Sequence, residues 1–564
     1  MNKKIILSLF FLLFCITVVS YTQSPAKYWV QFKDKNGTTF SVEKPQEFLS
    51  QKAIENRSHF NIPITEEDLP VNLNYINQVL QLDSNMVLFT KSKWLNGITI
   101  YSEKENIKDS IEKLSCVKFC ERTISMKEPE PKISNKYTYF NNVQPSYSLP
   151  ESNGSFSELD YGKALEQIRV NNIHWLHRMG FKGQGMLMMV MDGGFLNTDT
   201  LRHFSVIRNE QRIRGAINFV EQDLSPFQKD NHGTMVLSCI ASYLPGELIG
   251  TAPMVSVYLA KTEDGRSENK VEEDNWVAGI EWADSLGCMV VNSSLGYYKF
   301  DDSTHIRKFE DLNGVTSRAS VAGTIAAKKG IIVCCSAGNE GNDKWGHIIS
   351  PSDAKDVICV GGVDIYGKRA PFSSYGPSYD GRVKPDACAV GMDIFVATPR
   401  SKTIRSNGTS FSSPMLSGMV VCLWQAFPDK TNYEVMDAIR RSGHQANQPD
   451  SLLGYGITDF LRAYNYLLQV ETPSLKCFFP TFITDKNVIN ATITADHTVI
   501  VTIETVSRKT KKSVTKVYKI ENEKNLNIQL PMCSKKEMYD IVDVKITASQ
   551  NILNYVVGVE HLND

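Results

Sequence analysis

The sequence predicts an α/β protein: a parallel sheet with helices on both faces, preceded by a small α+β unit and followed by an antiparallel, β-sandwich-like one. Three observations carry this. Between residues 161 and 469, short apolar runs at 186–191, 255–260, 289–291, 331–335 and 357–360 recur between helical segments and glycine-rich turns. Runs so short and free of alternation are strands buried on both faces, as in a parallel sheet covered by helices. Ahead of them, alternating segments at 28–32 and 97–101 sit among charged helical stretches at 46–59 and 103–114. Behind them alternation returns, with Val499, Val501 and Ile503 against Ile500, Thr502 and Glu504, and Val542, Val544 and Ile546 against Asp543 and Lys545. That period of two marks an antiparallel sheet with one buried face.

The 564 residues exceed what one hydrophobic core organises, and about 150 residues per domain gives three or four units. The expected division is an export signal at 1–24, the α+β unit at 25–127, a linker rich in Pro, Ser, Asn and Tyr at 128–160, the α/β unit at 161–469 and the β unit at 471–564. Lys3 and Lys4 precede an apolar or small stretch at 5–19 and a polar exit at 20–24, the three-part pattern of secretion. That stretch is too short to span a bilayer, and no other reaches roughly 18 continuous apolar residues, so no transmembrane span is expected. The expected location is extracellular or the cell envelope, periplasm or outer surface. Cys15 follows bulky Phe14, which argues against a lipid-modified cysteine.

Lys and Arg total 61 against 62 for Asp and Glu, so no global field gathers nucleic acid or an anionic membrane. The basic run at 508–512 lies between strand-like segments and reads as a solvated hairpin tip. Twelve cysteines include no C-x-x-C pair and no Cys/His cluster of zinc spacing, so no metal site is expected. Most sit in apolar runs and read as small buried hydrophobes. Cys477 and Cys533 are the candidate disulfide pair of the last unit.

Three segments carry chemistry. The run at 186–191 ends in Asp192-Gly193-Gly194, a carboxylate at the carboxyl edge of a strand, where open α/β sheets form their sites. An isolated aspartate there more often caps a helix. His232-Gly233-Thr234 opens a helical pattern and places an imidazole, the side chain best suited to proton transfer near neutral pH, at a helix start. Ser410 lies in Asn407-Gly408-Thr409-Ser410-Phe411-Ser412-Ser413-Pro414 ahead of an apolar helix, with Pro414 expected in the first turn, where a missing donor is no loss. A serine at a helix start is commonly only a cap.

Taken in this order, the Asp, His and Ser segments resemble the subtilisin-like serine proteases (subtilases, peptidase family S8), in a bacterial secreted form with an N-terminal propeptide. Asp, His, Ser is the subtilisin order, distinct from chymotrypsin and the α/β-hydrolases. The resemblance covers most of 161–469, with Gly183-Gln184-Gly185 similar to the family's lead-in and Gly454-Tyr455-Gly456 to its end. Gly193 departs from it, because the family more often carries Thr or Ser there, and a hydrogen bond to Asp192 is expected to be missing. The resemblance implies a serine endopeptidase, working through an acyl-enzyme, with catalytic Asp192, His232 and Ser410. Asn339, in Ser336-Ala337-Gly338-Asn339-Glu340-Gly341, would donate to the oxyanion beside the Ser410 N–H. In subtilisin, removing such an asparagine costs roughly 10²–10³ in turnover. Ser294, Leu295 and Gly296, with Ala337 and Gly338, would form the edge on which protein or peptide substrates add as a strand. The unit at 25–127 would be a propeptide that inhibits the active site within its own chain, making a zymogen that cuts itself within 123–160. No cofactor is required for such chemistry. Structural calcium is common in the family, but Asp199 and its neighbours do not reproduce a binding loop. Gly338 and Gly361 suggest room for a medium or large apolar substrate side chain.

Competing readings fit less well. An α/β-hydrolase esterase wants Gly-x-Ser-x-Gly with its histidine after the serine, whereas Ser412 replaces the second glycine and His232 comes first. A serine-carboxyl peptidase places Glu where His232 stands. A catalytically inactive binding or surface protein of the same fold is the remaining alternative, and the intact Asp, His, Ser and Asn set argues against it.

Overall fold

A computed structural model describes residues 26–125, 159–221, 224–468 and, apart from short gaps at 481, 485–487, 497, 532–538 and 549–550, residues 475–560. The predicted export signal, nearly all of the linker and Cys533 lie outside the described residues.

Strands β1 (Ala26–Phe32), β2 (Val87–Ser92), β3 (Gly97–Ser102) and β4 (Val117–Ser125) pair antiparallel in the order β2-β3-β1-β4. Helices Leu73–Leu80 and Ile107–Glu112 close one face, placing Ile76, Val79, Ile107 and Ile111 over Tyr28, Val30, Ile98 and Ile100. The helix expected from residue 46 starts at Gln51 instead. Ser50 caps it by accepting from the Ala53 N–H at 3.1 Å.

The middle of the chain forms a seven-stranded sheet: β5 (Leu187–Asp192), β6 (Ile213–Asn218), β7 (Ser256–Lys261), β8 (Val290–Ser293), β9 (Ile332–Ser336), β10 (Ile358–Val363) and β11 (Ala387–Val390). The order is β11-β10-β9-β8-β5-β7-β6, with every pair parallel. Both faces are covered. Along β5, Met188 and Val190 join the core beneath helices α1 (His232–Ala241) and α4 (Thr409–Ala426), while Met189 and Met191 join the core under α2 (Val271–Leu286) and α3 (Arg318–Lys328). This two-sided burial is why the strands read as unbroken apolar runs.

Helix α2 carries Glu272, Glu273, Asp274, Glu281 and Asp284, yet all five are buried. The N-terminal unit lies across it and supplies partners to Asp274, Glu281 and Asp284, while Glu272 accepts from the Asp264 and Asn269 N–H groups and Glu273 pairs with Arg307. Thr99 donates to Asp274 at 3.1 Å, and Glu281 accepts from Ser92 and from the N–H groups of Lys93 and Trp94. Arg57 bridges Asp68 and Asp284 at 3.2 and 2.6 Å, Lys93 reaches Asp284 at 2.6 Å, and Lys329 reaches back to Asp68 at 3.0 Å.

Strands Leu475–Phe478, Val488–Ala495 and Glu523–Gln529 form a sheet facing a five-stranded one of Phe482–Thr484, Val499–Ser507, Ser513–Ile520, Tyr539–Ala548 and Asn551–Glu560. The pairing is antiparallel except that Phe482–Thr484 runs parallel to Asn551–Glu560. Ile489, Ile493 and Ile528 meet Val501, Ile503 and Val544 between the sheets. The basic run turns between two strands as expected, but Arg508 is paired with Asp543 at 2.7 Å rather than simply solvated. This unit docks on the central one through Asn465, whose amide exchanges two hydrogen bonds with the Val556 backbone at 2.7 and 2.9 Å. Trp175 packs on Gly558 so closely that a Cβ there would stand 2.4 Å from the ring.

Nine of the ten described cysteines, including Cys334, Cys335, Cys359 and Cys422, are buried, and burial pushes thiols such as Cys120 and Cys359 up to about 12. They are packing groups rather than nucleophiles.

Candidate active site

Strand β5 delivers Asp192 to the carboxyl edge of the sheet, fully buried, and the chain turns away at Gly193-Gly194. Helix α1 begins against that turn. A Cβ on Gly233 would stand 2.5 Å from the Gly194 carbonyl and 2.9 Å from Asp192 Cβ, so only glycine lets the helix start approach this closely. His232 Nδ1 thereby lies 2.7 Å from Asp192 Oδ1, with its ring 34% exposed. Burial works to lower the His232 pKa, but the Asp192 charge and hydrogen bond outweigh it and leave the imidazole raised above its usual value. Asp192 Oδ1 also accepts from the Gly193 N–H at 2.8 Å, while Oδ2 is buried without a protein partner.

Ser410 is the second residue of α4, which packs alongside α1, and the Phe411 ring lies tilted beside that of His232, their centroids 5.9 Å apart. No direct hydrogen bond joins Ser410 Oγ to His232 among the described residues. Such contacts are often long until substrate is bound. Pro414 stands sixth in the helix rather than in its first turn, so the donor it lacks is the one that would satisfy the Ser410 carbonyl. The Ser294 hydroxyl donates to that carbonyl instead, at 2.8 Å, and itself accepts from Asn292 at 3.1 Å. Asn292 further accepts from Ser413 at 2.9 Å, tying β8 to the helix that carries Ser410.

Asn339 follows β9. Its Oδ1 accepts from the Thr409 N–H at 2.9 Å and the Thr409 hydroxyl at 3.1 Å, which leaves the amide nitrogen as the free end of an exposed side chain. Ser410, Asn339, Ser294, Leu295, Gly296 and Gly338 all line one cleft of about 520 Å³. Ala337 does not line it: it is fully buried against Leu312, Ile348 and Cys359, and its carbonyl accepts from Ile349. Gly361 is likewise walled in, since a Cβ there would meet Cys388 Sγ at 2.9 Å.

The cleft also holds residues outside the predicted set. Glu263, Asp264, Glu268, Glu272, Asp301 and Glu340 line it. Burial, with the neighbouring Glu268, pushes Glu263 up to about 8. Burial, with Asp301, pushes Glu268 up to about 7. Burial also raises Glu340. The sequence signal for Glu340 was adjacency to Asn339. The others come from loops, and Glu272 from the first turn of α2, without a motif. Among the described residues, no group of three or more His, Cys, Asp or Glu is gathered to hold a metal ion.

Residues 183–456 match the model of the subtilase family, and residues 27–137 match the peptidase S8 propeptide domain of Bacteroidota. The chain belongs to the subtilase family. Subtilisin NAT of Bacillus subtilis subsp. natto is 29% identical over 268 residues, 47% of this chain and 62% of that protein. The thermostable alkaline protease of Halalkalibacterium halodurans is 26% identical over 293 residues, 52% of this chain and 71% of that protein. Subtilisin Savinase of Lederbergia lenta is 26% identical over 284 residues, 50% of this chain and 92% of that protein. The match thus spans less than two thirds of the first of these subtilases. The subtilase stretch contains the seven-stranded sheet, and the propeptide stretch contains the sheet over α2.

Proposed function

We propose that the chain is an exported serine endopeptidase, made as a zymogen, that hydrolyses peptide bonds through Ser410, His232 and Asp192. The single observation that carries this reading is the 2.7 Å contact between His232 Nδ1 and the buried Asp192 carboxylate, at the start of the helix lying beside that of Ser410. His232 Nε2 takes the Ser410 proton as the hydroxyl attacks a peptide carbonyl, and Asp192 holds the tautomer and stabilises the imidazolium. The Asn339 amide and the Ser410 N–H receive the oxyanion. The imidazolium then protonates the leaving amine, and water hydrolyses the acyl-enzyme. Substrate lies extended along Ser294 to Gly296, where Leu295 and Gly296 take up no backbone hydrogen bond among the described residues.

The unit at 25–127 acts as an intramolecular inhibitor, supported by the propeptide match and by its seat on α2. Residues 128–160 are the linker cut in maturation, 161–469 the peptidase and 471–564 a docked β unit. The charged, apolar and polar sequence at 1–24 directs export to the cell envelope or beyond.

The test is labelling by a fluorophosphonate, with N-terminal sequencing of the product. Wild type is expected to be labelled and to start within 123–160, and Ser410→Ala to be unlabelled and uncut. Wild type that takes no label, or identical mature ends in both without another protease, would refute the assignment and leave the inactive binding protein as the reading.

A further inference from the structure

The N-terminal unit has two cores, and only one belongs to its sheet. Tyr28, Val30, Ile98 and Ile100 pack beneath the two helices that close that sheet, whereas Phe48, Leu49, Ala53 and Leu69 form a separate cluster. The second cluster lies within residues 40–69, between β1 and the helix Leu73–Leu80. Its own helix, Gln51–His59, lies across the carboxyl ends of α2, α3 and α4, at the edge of the central sheet opposite Asp192. The Ser50 N–H donates to the Ser285 carbonyl at 2.8 Å, and the Asn56 amide to the Gly287 carbonyl at 3.0 Å. At the end of α3, Lys329 reaches Asp68 and Glu67 at 3.0 and 3.1 Å, and a Cβ on Gly330 would stand 2.7 Å from Ile62. At the end of α4, Phe60 packs on Trp424 with ring centroids 6.0 Å apart. The last carbonyls of a helix have no partner within it and carry partial negative charge, so N–H donors and a cation suit them. Arg57 is that cation, 2.6 Å from Asp284 and 3.2 Å from Asp68.

Trp424 and Ser410 stand on one helix, and at about 1.5 Å per residue the contact with Phe60 lies about 21 Å from the nucleophile. A grip at that distance closes no substrate site. Its consequence is for residence. The sheet meets the flank of α2 through Thr99 on Asp274 and the Trp94 N–H on Glu281, while Asn56 and Arg57 hold the end of the same helix. Two footholds on one unit make the return of either an intramolecular event, which strengthens binding by about 10²–10⁴ over one alone when both can engage together. Here both are engaged. None of these contacts uses a linker residue, so a cut in the linker leaves all of them in place.

We propose that residues 40–69 are a second clamp, seated on the ends of α2, α3 and α4 away from the cleft, that keeps the N-terminal unit on the peptidase after the linker is cut, so that self-cutting yields a latent two-chain complex. The proposal rests on the zymogen reading above. Full-length protein, purified after its own processing, is diluted from micromolar to nanomolar and followed by gel filtration and by hydrolysis of a fluorogenic peptide. Wild type is expected to elute as one two-chain species at micromolar concentration and to gain activity as it is diluted. Arg57→Met leaves Asp284 to Lys93 and Asp68 to Lys329, and should raise the concentration at which half the complex has separated at least tenfold. Asn56→Ala and Phe60→Ala should raise it at least threefold each, and Glu55→Ala, exposed on the same helix, should leave it unchanged. Every substitution lies in the departing chain, so kcat and KM of the released enzyme should be identical throughout. Wild-type chains that part at micromolar concentration, or variants that all hold as tightly as wild type, would overturn the proposal. Should Arg57→Met not fold, Asn56→Ala and Phe60→Ala decide; failure of all three to cut themselves would make the segment a folding template and overturn it too. Fluorophosphonate added after dilution separates the two failures: cut, labelled enzyme that elutes free of residues 26–125 at micromolar concentration sinks this inference alone, and a chain that neither cuts itself nor takes label sinks the zymogen reading and this with it.

Discussion

Replacing Asn339 by Asp isolates one group of the site. In the structure the Asn339 carbonyl oxygen holds two bonds to Thr409, at 2.9 and 3.1 Å, and the amide nitrogen is the part left to face substrate. An aspartate keeps an oxygen where Thr409 needs an acceptor, so the side chain stays in place, but it exchanges the donor for a second acceptor. The developing oxyanion then loses one of two donors and gains a repulsive neighbour. Loss of one such donor costs about 2.7–4 kcal/mol, roughly 10²–10³ in kcat, because the group acts mainly on the transition state. KM should move much less. Thr409→Val supplies the control. It removes the hydroxyl's contact with Asn339 and also those with the Gly338 carbonyl and N–H at 3.0 and 3.2 Å, neutral bonds worth about 0.5–1.5 kcal/mol each, but keeps the Thr409 N–H on Asn339 and the amide donor, so its penalty on kcat should stay below that of Asn339→Asp. Steady-state hydrolysis of a short fluorogenic peptide measures both variants, and accumulation of unprocessed precursor provides a second readout. An Asn339→Asp enzyme within tenfold of wild-type kcat, with Ser410→Ala inactive, would refute the oxyanion assignment.

Further outcomes follow from the same geometry. His232 must be neutral to accept a proton, and its raised pKa keeps it protonated to higher pH than a free imidazole, so kcat/KM should already be falling below about pH 7; a flat profile from pH 5 to 8 would contradict the role of His232. Asp192→Asn should cut kcat by roughly 10⁴, as substitution of the triad aspartate does elsewhere, and a loss under tenfold would remove Asp192 from the triad. Ser294→Ala strands the Ser410 carbonyl and should lower stability by about 1–3 kcal/mol, with Pro414→Ala restoring part of it by returning an N–H; melting curves of the single and double variants decide this. Burial raises Asp274 to about 6 and Glu281 to about 7 beneath the N-terminal sheet. Such groups favour the joined state when protonated, and that contribution is lost as pH rises through these values, so residues 26–125 should show lower amide protection factors, corrected for the intrinsic pH dependence of exchange, at pH 8 than at pH 5 in Ser410→Ala protein; equal or greater protection factors at pH 8 would contradict it.

Five strands of the central sheet were legible because each is an unbroken apolar run, and Asp192 was legible because its run stops at two glycines. Strand β6 was not, since Arg214, Gly215 and Asn218 interrupt Ile213, Ala216 and Ile217. It lies at the sheet edge, where two-sided burial is not enforced. The helix Leu73–Leu80 is absent from the sequence reading because its fully buried side chains, Ile76 and Val79, are few. Asp192, His232, Ser410 and Asn339 could be located from local motifs. The Ser294 bond to the Ser410 carbonyl could not, because it depends on where α4 begins relative to Pro414. Nor could the acidic wall, which is assembled from residues 263–272, 301 and 340 only when the loops meet.

The N-terminal unit over α2 has one more effect. Much of the seam between the N-terminal unit and α2 is made of charged groups bridged to their opposites, with Arg57 and Lys93 on one bank and Asp284 and Lys329 on the other. A greasy seam would leave two adhesive faces when it opened. This one would leave faces that water wets readily were the linker cut as proposed, so the two parts would separate without clumping.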